Sequence, residues 1–303
     1  TEGSCQLNKF VDWIAVDWGT SNVRAWAMQG NRVLAEATSD EGMARLSHHD
    51  YEPALLRLIS PWLSAQAVQV IACGMIGSRQ GWQEVPYRSL PCNPSQSDEL
   101  ISVPTTDHRF FLKIVPGLKQ LSPADVIRGE ETQIAGALAL MPNFDGVMCL
   151  PGTHSKWVHV SAGEVVSFQT FMTGEMFALI STQSVLRHSI AADGFDAAAF
   201  DAGLSTALSR PELIAAHLFT LRAEGLLTDA SPIAARSRLS GLLIGIELAA
   251  AKPYWLGKPV TLIGAETLCG RYAQALQAQG LTHTILSARD CILAGLSKLK
   301  SAL

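Results

Sequence analysis

The chain of 303 residues lacks most of the features that place a protein at a glance. Its six cysteines (Cys5, Cys73, Cys92, Cys149, Cys269 and Cys291) form no C-x-x-C pair, which argues against a zinc ribbon or a dithiol motif. Several sit inside apolar runs, as in Val147-Met148-Cys149-Leu150, and read as small buried hydrophobes in a reducing compartment. No apolar run reaches the roughly 18 residues of a spanning helix. Thr1-Glu2-Gly3-Ser4 lacks the basic start and apolar stretch of a secretory signal, so a cytoplasmic location is expected. With 23 basic and 27 acidic residues the chain carries −4, so there is no basic surface for nucleic acid. Any anionic ligand must meet a local cluster of bases. Charge runs and low-complexity segments are missing. So are the Walker-type G-x-x-x-x-G-K-[ST] loop and the dinucleotide G-x-G-x-x-G loop.

What is present is an alternation of short strands and helices, in a chain long enough for two domains of roughly 150 residues. Trp13 to Val16 reads as a strand running into Asp17-Trp18-Gly19-Thr20-Ser21, and two more strands follow around the turn signal Gln29-Gly30-Asn31. A helical pattern covers Tyr51 to Leu63, and Val68 to Ala72 is a buried strand. Residues 74 to 108 form a long polar section rich in Gly, Pro and Ser, which in a compact domain points to function. After a small-residue helix from Glu130 to Leu140, a strand enters Pro151-Gly152-Thr153-His154-Ser155, and a second hairpin turns at Ala162-Gly163. Mostly helical sequence follows to Lys252, then strand, helix, strand and helix to the end. A hairpin with a Gly-Thr turn thus recurs about 135 residues after the first. That half-chain repeat predicts two α/β domains, residues 11–140 and 141–303.

The two turns are the residues that carry chemistry. Glycine lets backbone N–H groups approach phosphate oxygens, and the Thr20, Ser21, Thr153 and Ser155 hydroxyls add donors. Asp17 at a strand end offers the hard oxygen that Mg²⁺ prefers. The same residue types also make ordinary β-turns. Two such turns, each opening the matched hairpin of a different half, predict a clamp that grips a triphosphate.

The first turn resembles the first phosphate motif of the actin, heat-shock-70 and hexokinase superfamily, and Gly152 to Ser155 resembles the second. Gly129 to Leu138 is similar to the first connecting helix and Gly241 to Glu247 to the second. Val260 to Ala265 resembles the adenosine motif. Five strings, VDWGTSNVRAW (16 to 26), ACGMIGSRQGW (72 to 82), DVIRGEETQ (125 to 133), LPGTHSKWV (150 to 158) and FQTFMTGEMFALI (168 to 180), resemble the 2-dehydro-3-deoxygalactonokinase family. The resemblance implies an α/β protein of two ribonuclease-H-like domains, with mixed sheets flanked by helices and a cleft between them. It implies a kinase that transfers the ATP γ-phosphoryl group to O6 of 2-dehydro-3-deoxy-D-galactonate. Two features depart from the superfamily pattern. Leu150-Pro151 stands where an acid is frequent, which leaves Asp17 as the metal residue. The adenosine motif reads Gly264-Ala265 in place of a Gly-Gly pair.

The resemblance also implies roles. A carboxylate opening the first connecting helix takes the sugar proton: Glu130 fits by register and Asp125 by residue type. ATP is assigned to Asp17, Gly19, Thr20, Ser21, Gly152, Thr153, His154, Ser155, Lys156, Gly264 and Ala265. The sugar acid calls for a planar bidentate donor, and Arg79 in the glycine-rich loop is the first choice. Met75, Gly77 and Ser78 share that loop, with Trp82 and Tyr87 as an apolar wall or as core. Glu41 and Gly42 form a polar turn that either meets sugar hydroxyls or is plain loop. Arg24 and Arg128 pair with phosphate or with an acid of the site. The expected partners are ATP with Mg²⁺ and a small sugar acid, with no nucleic acid and no membrane; a homodimer is compatible with the sequence. The rival readings are a kinase of another keto-deoxy sugar acid such as the gluconate epimer, a phosphohydrolase on the same fold, and a nucleotide-gated binding module.

Overall fold

The computed structural model describes residues 11–303, so the expectations for Cys5 and for residues 1–4 lie outside it. The strands begin with β1 (Trp13–Trp18), β2 (Val23–Gln29), β3 (Arg32–Ser39), β4 (Val68–Gly74) and β5 (Arg88–Ser89). Next come β6 (Ile101–Val103), β7 (Phe110–Ile114), β8 (Leu118–Leu121) and β9 (Ala124–Ile127). The remaining strands are β10 (Gly146–Leu150), β11 (Ser155–Ser161), β12 (Glu164–Phe171), β13 (Val260–Gly264) and β14 (His283–Ser287). The helices are α1 (Tyr51–Ile59), α2 (Glu130–Leu140), α3 (Thr173–Gln183), α4 (Ala197–Ser209) and α5 (Ile214–Leu227). They continue with α6 (Pro232–Ala250), α7 (Lys252–Trp255), α8 (Glu266–Ala278) and α9 (Ala288–Ser301). Helix α1 stops short of the expected Leu63, because Pro61 has no N–H to continue the ladder and a 3₁₀ turn, Ser60–Trp62, takes over.

Two compact units result. The first contains the chain up to Phe144, Ser161–Ser167 and Ala288–Leu303; the second contains Asp145–Val160 and Phe168–Ser287. Where the sequence suggested one division near residue 140, the units interleave, because α9 packs on α2 and against β1 and β4 of the first unit.

The first unit has a six-stranded sheet in the order β3-β2-β1-β4-β7-β6 and a small sheet, β5-β8-β9. Strand β1 is antiparallel to β2 and parallel to β4, which is parallel to β7. The central strands are covered on both faces and read as near-continuous apolar runs, whereas the edge strand β3 alternates. The second unit repeats the order as β12-β11-β10-β13-β14, with β10 antiparallel to β11 and parallel to β13, and β13 parallel to β14. Both sheets are mixed and flanked by helices, and their shared order is the ribonuclease-H-like arrangement. The half-chain repeat is real at the level of topology.

Each unit also contains a helix pair packed backbone against backbone. A Cβ on Gly136 of α2 would strike the Cys291 carbonyl of α9, and one on Gly295 would strike the Thr132 carbonyl. In the second unit Gly203 of α4 and Gly241 of α6 stand in the same relation to Arg238 and Phe200. Small residues there are a packing requirement. The five described cysteines are free, and all but Cys92 are buried. Among the described residues no helix is long and apolar enough to cross a membrane.

Candidate active site

Register builds the first corner of the site. Asp17 lies opposite Arg24 on β2 and opposite Cys73 on β4. Its Oδ2 accepts from Arg24 Nη2 at 2.6 Å, and its Oδ1 faces the Cys73 thiol at 3.8 Å. Beyond it the Gly19 N–H donates to the Asn22 carbonyl at 2.8 Å, leaving Thr20 and Ser21 exposed at the hairpin tip. The segment after β3 braces this turn from outside. Met43 and Ala44 donate to the Gly19 and Thr20 carbonyls, and Gly42 sits so close that a Cβ would overlap Thr20 and Ser21. Gly42 therefore helps to shape the Gly19 turn.

Two glycines in the left-handed region bring three elements together. Gly74 ends β4 at φ +92°, and Gly129 precedes α2 at φ +103°. A Cβ on Gly74 would lie 2.5 Å from the Trp18 carbonyl oxygen, and one on Gly129 would lie 3.4 Å from Gly74 Cα. Any other residue would be strained and crowded at both positions. The ends of β1 and β4 and the start of α2 thus meet at one corner. There Glu130 Oε2 accepts from the Arg128 N–H at 3.1 Å, and Glu131 Oε2 accepts from the Gly129 N–H at 2.6 Å. Two acids in the first turn also suit the positive end of the helix dipole.

The two glutamates differ in setting. Glu130 is half-buried, whereas Glu131 is wholly buried, with Thr132 Oγ1 donating to it at 3.1 Å. Burial first, then the neighbouring Glu130 charge, pushes the Glu131 carboxyl up to about 7, against hydrogen bonds that favour the ionised form. The Cys73 thiol, beside Asp17, Glu131 and Thr132, is raised well above its ordinary value, chiefly by burial. It is a packed hydrophobe there, with no nucleophilic thiolate. Asp125 lies elsewhere, in the small sheet opposite Gln120, with its Oδ1 accepting from the adjacent Val126 N–H.

The glycine-rich loop after β4 is a chain of tight turns. Met75–Gly77 is 3₁₀, and Ser78, Gly81 and Val85 N–H groups bond back to Met75, Ser78 and Gly77. Ser78 is buried, its hydroxyl donating to Met43 Sδ at 3.2 Å. Arg79 extends from the loop with its side chain 80 % exposed, loosely paired with Glu84 at 3.6 Å. Trp82 is core: it is buried and stacks on Tyr51, which packs against Trp18. Tyr87 instead carries the Arg128 guanidinium 4.2 Å above its ring. Arg128 Nη2 donates to the Val85 carbonyl at 2.7 Å, while its buried Nη1 has no partner and faces Gly77. Arg128 ties the loop to the start of α2. The Glu41 carboxylate is already bound by Arg57 and Ser39, and the Arg57 hydrogen bond is the first cause holding it below its usual range.

In the second unit Thr153 and His154 are exposed at the turn, with Gly152 half-buried. The start of α3 docks against this turn: the Glu175 N–H donates to the Thr153 carbonyl at 2.9 Å, and His154 Nε2 lies 2.6 Å from Glu175 Oε2. Two of the residues expected to meet phosphate are buried. Ser155 opens β11 wholly buried, its Oγ 2.9 Å from the Tyr272 hydroxyl, and buried Lys156 donates to the His154 carbonyl at 2.8 Å. Burial keeps the Ser155 hydroxyl off the turn's outer surface, whereas the Lys156 ammonium stays at the turn on the His154 carbonyl. Gly264 is half-buried and Ala265 exposed at the end of β13. A crevice of about 70 Å³ opens beside Gly152, lined by Thr173, Phe177, Ser240, Leu268, Arg271 and Tyr272.

Among the described residues no group of three or more His, Cys, Asp or Glu is arranged to hold a metal ion. A lone carboxylate at Asp17 does not make a protein cage. It does fit Mg²⁺ that arrives on phosphates and borrows one protein oxygen. Sequence reasoning passed over Glu131, hidden beside the more obvious Glu130, and over the role of Arg128 as a strut. It also passed over Glu247, a single acid in an apolar helix.

Residues 17–299 match the family model described as 2-keto-3-deoxy-galactonokinase. A 2-dehydro-3-deoxygalactonokinase from Escherichia coli (strain K12) is 35 % identical over 294 residues, covering 96 % of this chain and 98 % of its own. A relative from Rhizobium meliloti (strain 1021), named for the same activity as DgoK1, is 38 % identical over 94 % of this chain and 95 % of its own. The crystal structure of a 2-dehydro-3-deoxygalactonokinase protein from Sinorhizobium meliloti, 38 % identical, superposes with a TM-score of 0.88 over 96 % of this chain and 98 % of that one. With a match running from the Asp17 turn into the last helix, the chain belongs to the 2-keto-3-deoxy-galactonokinase family of carbohydrate kinases.

Proposed function

We propose that the protein phosphorylates 2-dehydro-3-deoxy-D-galactonate at O6 with ATP, as a cytoplasmic step of galactonate catabolism. The observation that carries this reading is the corner where Asp17, Gly74 and the first turn of α2 meet in the first unit. Phosphoryl transfer needs positioning and charge stabilisation more than covalent help. Glu130, half-buried in the first turn of α2 at that corner, is the carboxylate we place at the sugar hydroxyl; Asp125 lies on β9 of the small sheet. Its carboxylate orients the O6 hydroxyl and takes the proton as the new O–P bond forms and the bond to the β-phosphate oxygen breaks, releasing ADP. Asp17 is the residue for Mg²⁺, which when bound with the phosphates neutralises their developing charge. Arg79, exposed and only loosely paired with Glu84, is the guanidinium for the sugar-acid carboxylate, and Met75 and Ser78 fix its loop.

The second unit holds the nucleotide. Backbone N–H groups of Gly152 to His154 meet the phosphates, with the Thr153 hydroxyl. The crevice beside Gly152 is below the roughly 300 Å³ of a full ligand pocket, so it seats the base while Gly264 and Ala265 flank the rest. A homodimer would find apolar surface on α5, where Phe219, Leu226 and Leu227 are exposed.

Coupled measurement of ADP release, with and without the sugar acid, tests the reading, and ³¹P NMR of the product locates the phosphate. Release that needs the acid and a phosphate on O6 are expected. Equal release without the acid would mean hydrolysis and end the proposal.

A further inference from the structure

The buried face of helix α6 is built of Leu, Ile, Ala, Gly and Ser, and its one charged residue is Glu247, which is 1 % exposed. A carboxylate so deep costs several kcal/mol in desolvation unless its oxygens are satisfied. Here they are satisfied by neutral donors. Trp157 Nε1 donates to Oε1 at 2.8 Å and the Tyr272 hydroxyl donates to Oε2 at 2.8 Å. The Thr173 and Ser155 hydroxyls also bond to the carboxylate, and Ser155 lies against Tyr272 as well.

These donors come from three separate segments. Ser155 and Trp157 belong to the strand leaving the Gly152 turn. Thr173 opens α3, where the Glu175 N–H holds the Thr153 carbonyl and Gly174 is pressed so close that a Cβ would overlap the Gly152 carbonyl. Tyr272 lies on α8, the helix that follows Gly264 and Ala265. One carboxylate therefore ties together every element that borders the crevice and the turn. An apolar residue of similar volume would serve packing equally well or better, so what the acid adds is direction: its bonds to Trp157 and Tyr272, with Thr173 and Ser155 beside them, fix the angle of each segment.

We infer that Glu247 is a positioning residue for the nucleotide, holding the Gly152 turn, the start of α3 and α8 in one fixed arrangement without touching ATP. The inference rests on the reading that ATP binds the second unit. Burial pushes the Glu247 carboxyl upward while its donors hold it down, which agrees with a group tuned by its surroundings.

The test compares Glu247→Gln, Tyr272→Phe and Leu268→Trp in the full chain, varying Mg-ATP and the sugar acid separately. A glutamine can accept from only one of Trp157 and Tyr272 in its present geometry. Glu247→Gln should raise KM for Mg-ATP about tenfold with KM for the sugar acid within twofold, a split that a general loss of packing does not give. Tyr272→Phe removes one bond and should give about a threefold rise with the same split. Leu268→Trp fills the crevice and reports on the nucleotide site itself. If it weakens ATP while the other two leave ATP unchanged, or move both substrates alike, the inference is overturned and the ATP reading stands. If all three leave ATP unchanged, the nucleotide binds elsewhere and both fall. Should Glu247→Gln fail to fold, Tyr272→Phe decides by the same split.

Discussion

In the first unit the strand entering the hairpin turn carries its acid at the mouth, Asp17, held by Arg24 on the opposite strand. In the second unit the corresponding strand ends on Leu150, and the acid lies behind the turn, on a helix, as Glu247. The sheets share an order, yet one turn presents a carboxylate near where phosphate would lie and the other hides one. A repeated topology supplies two similar hairpins, and the placement of a single charge gives them different work. The acids of the first unit, Asp17 and Glu130, are half-buried, and the proposed chemistry draws on their oxygens. The buried one serves geometry alone.

The largest expected effect separates the chemical unit from the holding unit. Glu130→Gln should lower kcat by about 10²- to 10⁴-fold, the range typical of a lost general base, with KM for ATP changed little. Asp125→Asn should stay within about threefold. Steady-state kinetics of the two variants decide between them, and a collapse of kcat in Asp125→Asn alone would move the base to β9.

Of intermediate size is the effect of one methyl group in the helix pairs. Gly136→Ala and Gly241→Ala force apart helices already in backbone contact and should each cost about 1–3 kcal/mol or more. Gly270→Ala, in α8 with open space around it, should instead gain about 0.5–1 kcal/mol from helix propensity. Denaturant unfolding of the three variants gives the signs, and a stable Gly136→Ala would show that α2 and α9 can separate without penalty.

The smallest effect is a pH dependence. Burial, then the Glu130 charge, pushes the Glu131 carboxyl up to about 7 in the fold, above the ordinary carboxylate value near 4.5. Its contribution to stability is therefore fully present below pH 4.5 and is lost as the pH rises from 4.5 to 7. Glu131→Gln removes this titration, so the melting temperature of the wild type should decline more across that window than that of the variant. Parallel curves would mean that Glu131 is ionised in the fold throughout.

Local signals in the sequence were enough for the elements that frame the site. The turns at Gly19 and Gly152 and helix α2 follow from apolar periodicity, turn residues and an acidic helix start, all set within a few residues. What depends on distant partners could not be read that way. Trp82 resembles a pocket wall until Tyr51 and Trp18 close over it. Glu41 looks free until Arg57, on the next helix, reaches its carboxylate. Ser155 looks like its neighbour Thr153, but it opens a strand and its side chain falls on the inner face, where Tyr272 waits. The return of α9 to the first unit has no local mark either, since its apolar stripe would suit any surface of matching shape.

That return has a consequence for synthesis. Helix α2 leaves the ribosome early, but the helix that covers its glycine face emerges only after the whole second unit. The earlier unit is thus finished later, and during translation the Gly136 face of α2 stands uncovered while well over a hundred further residues are added.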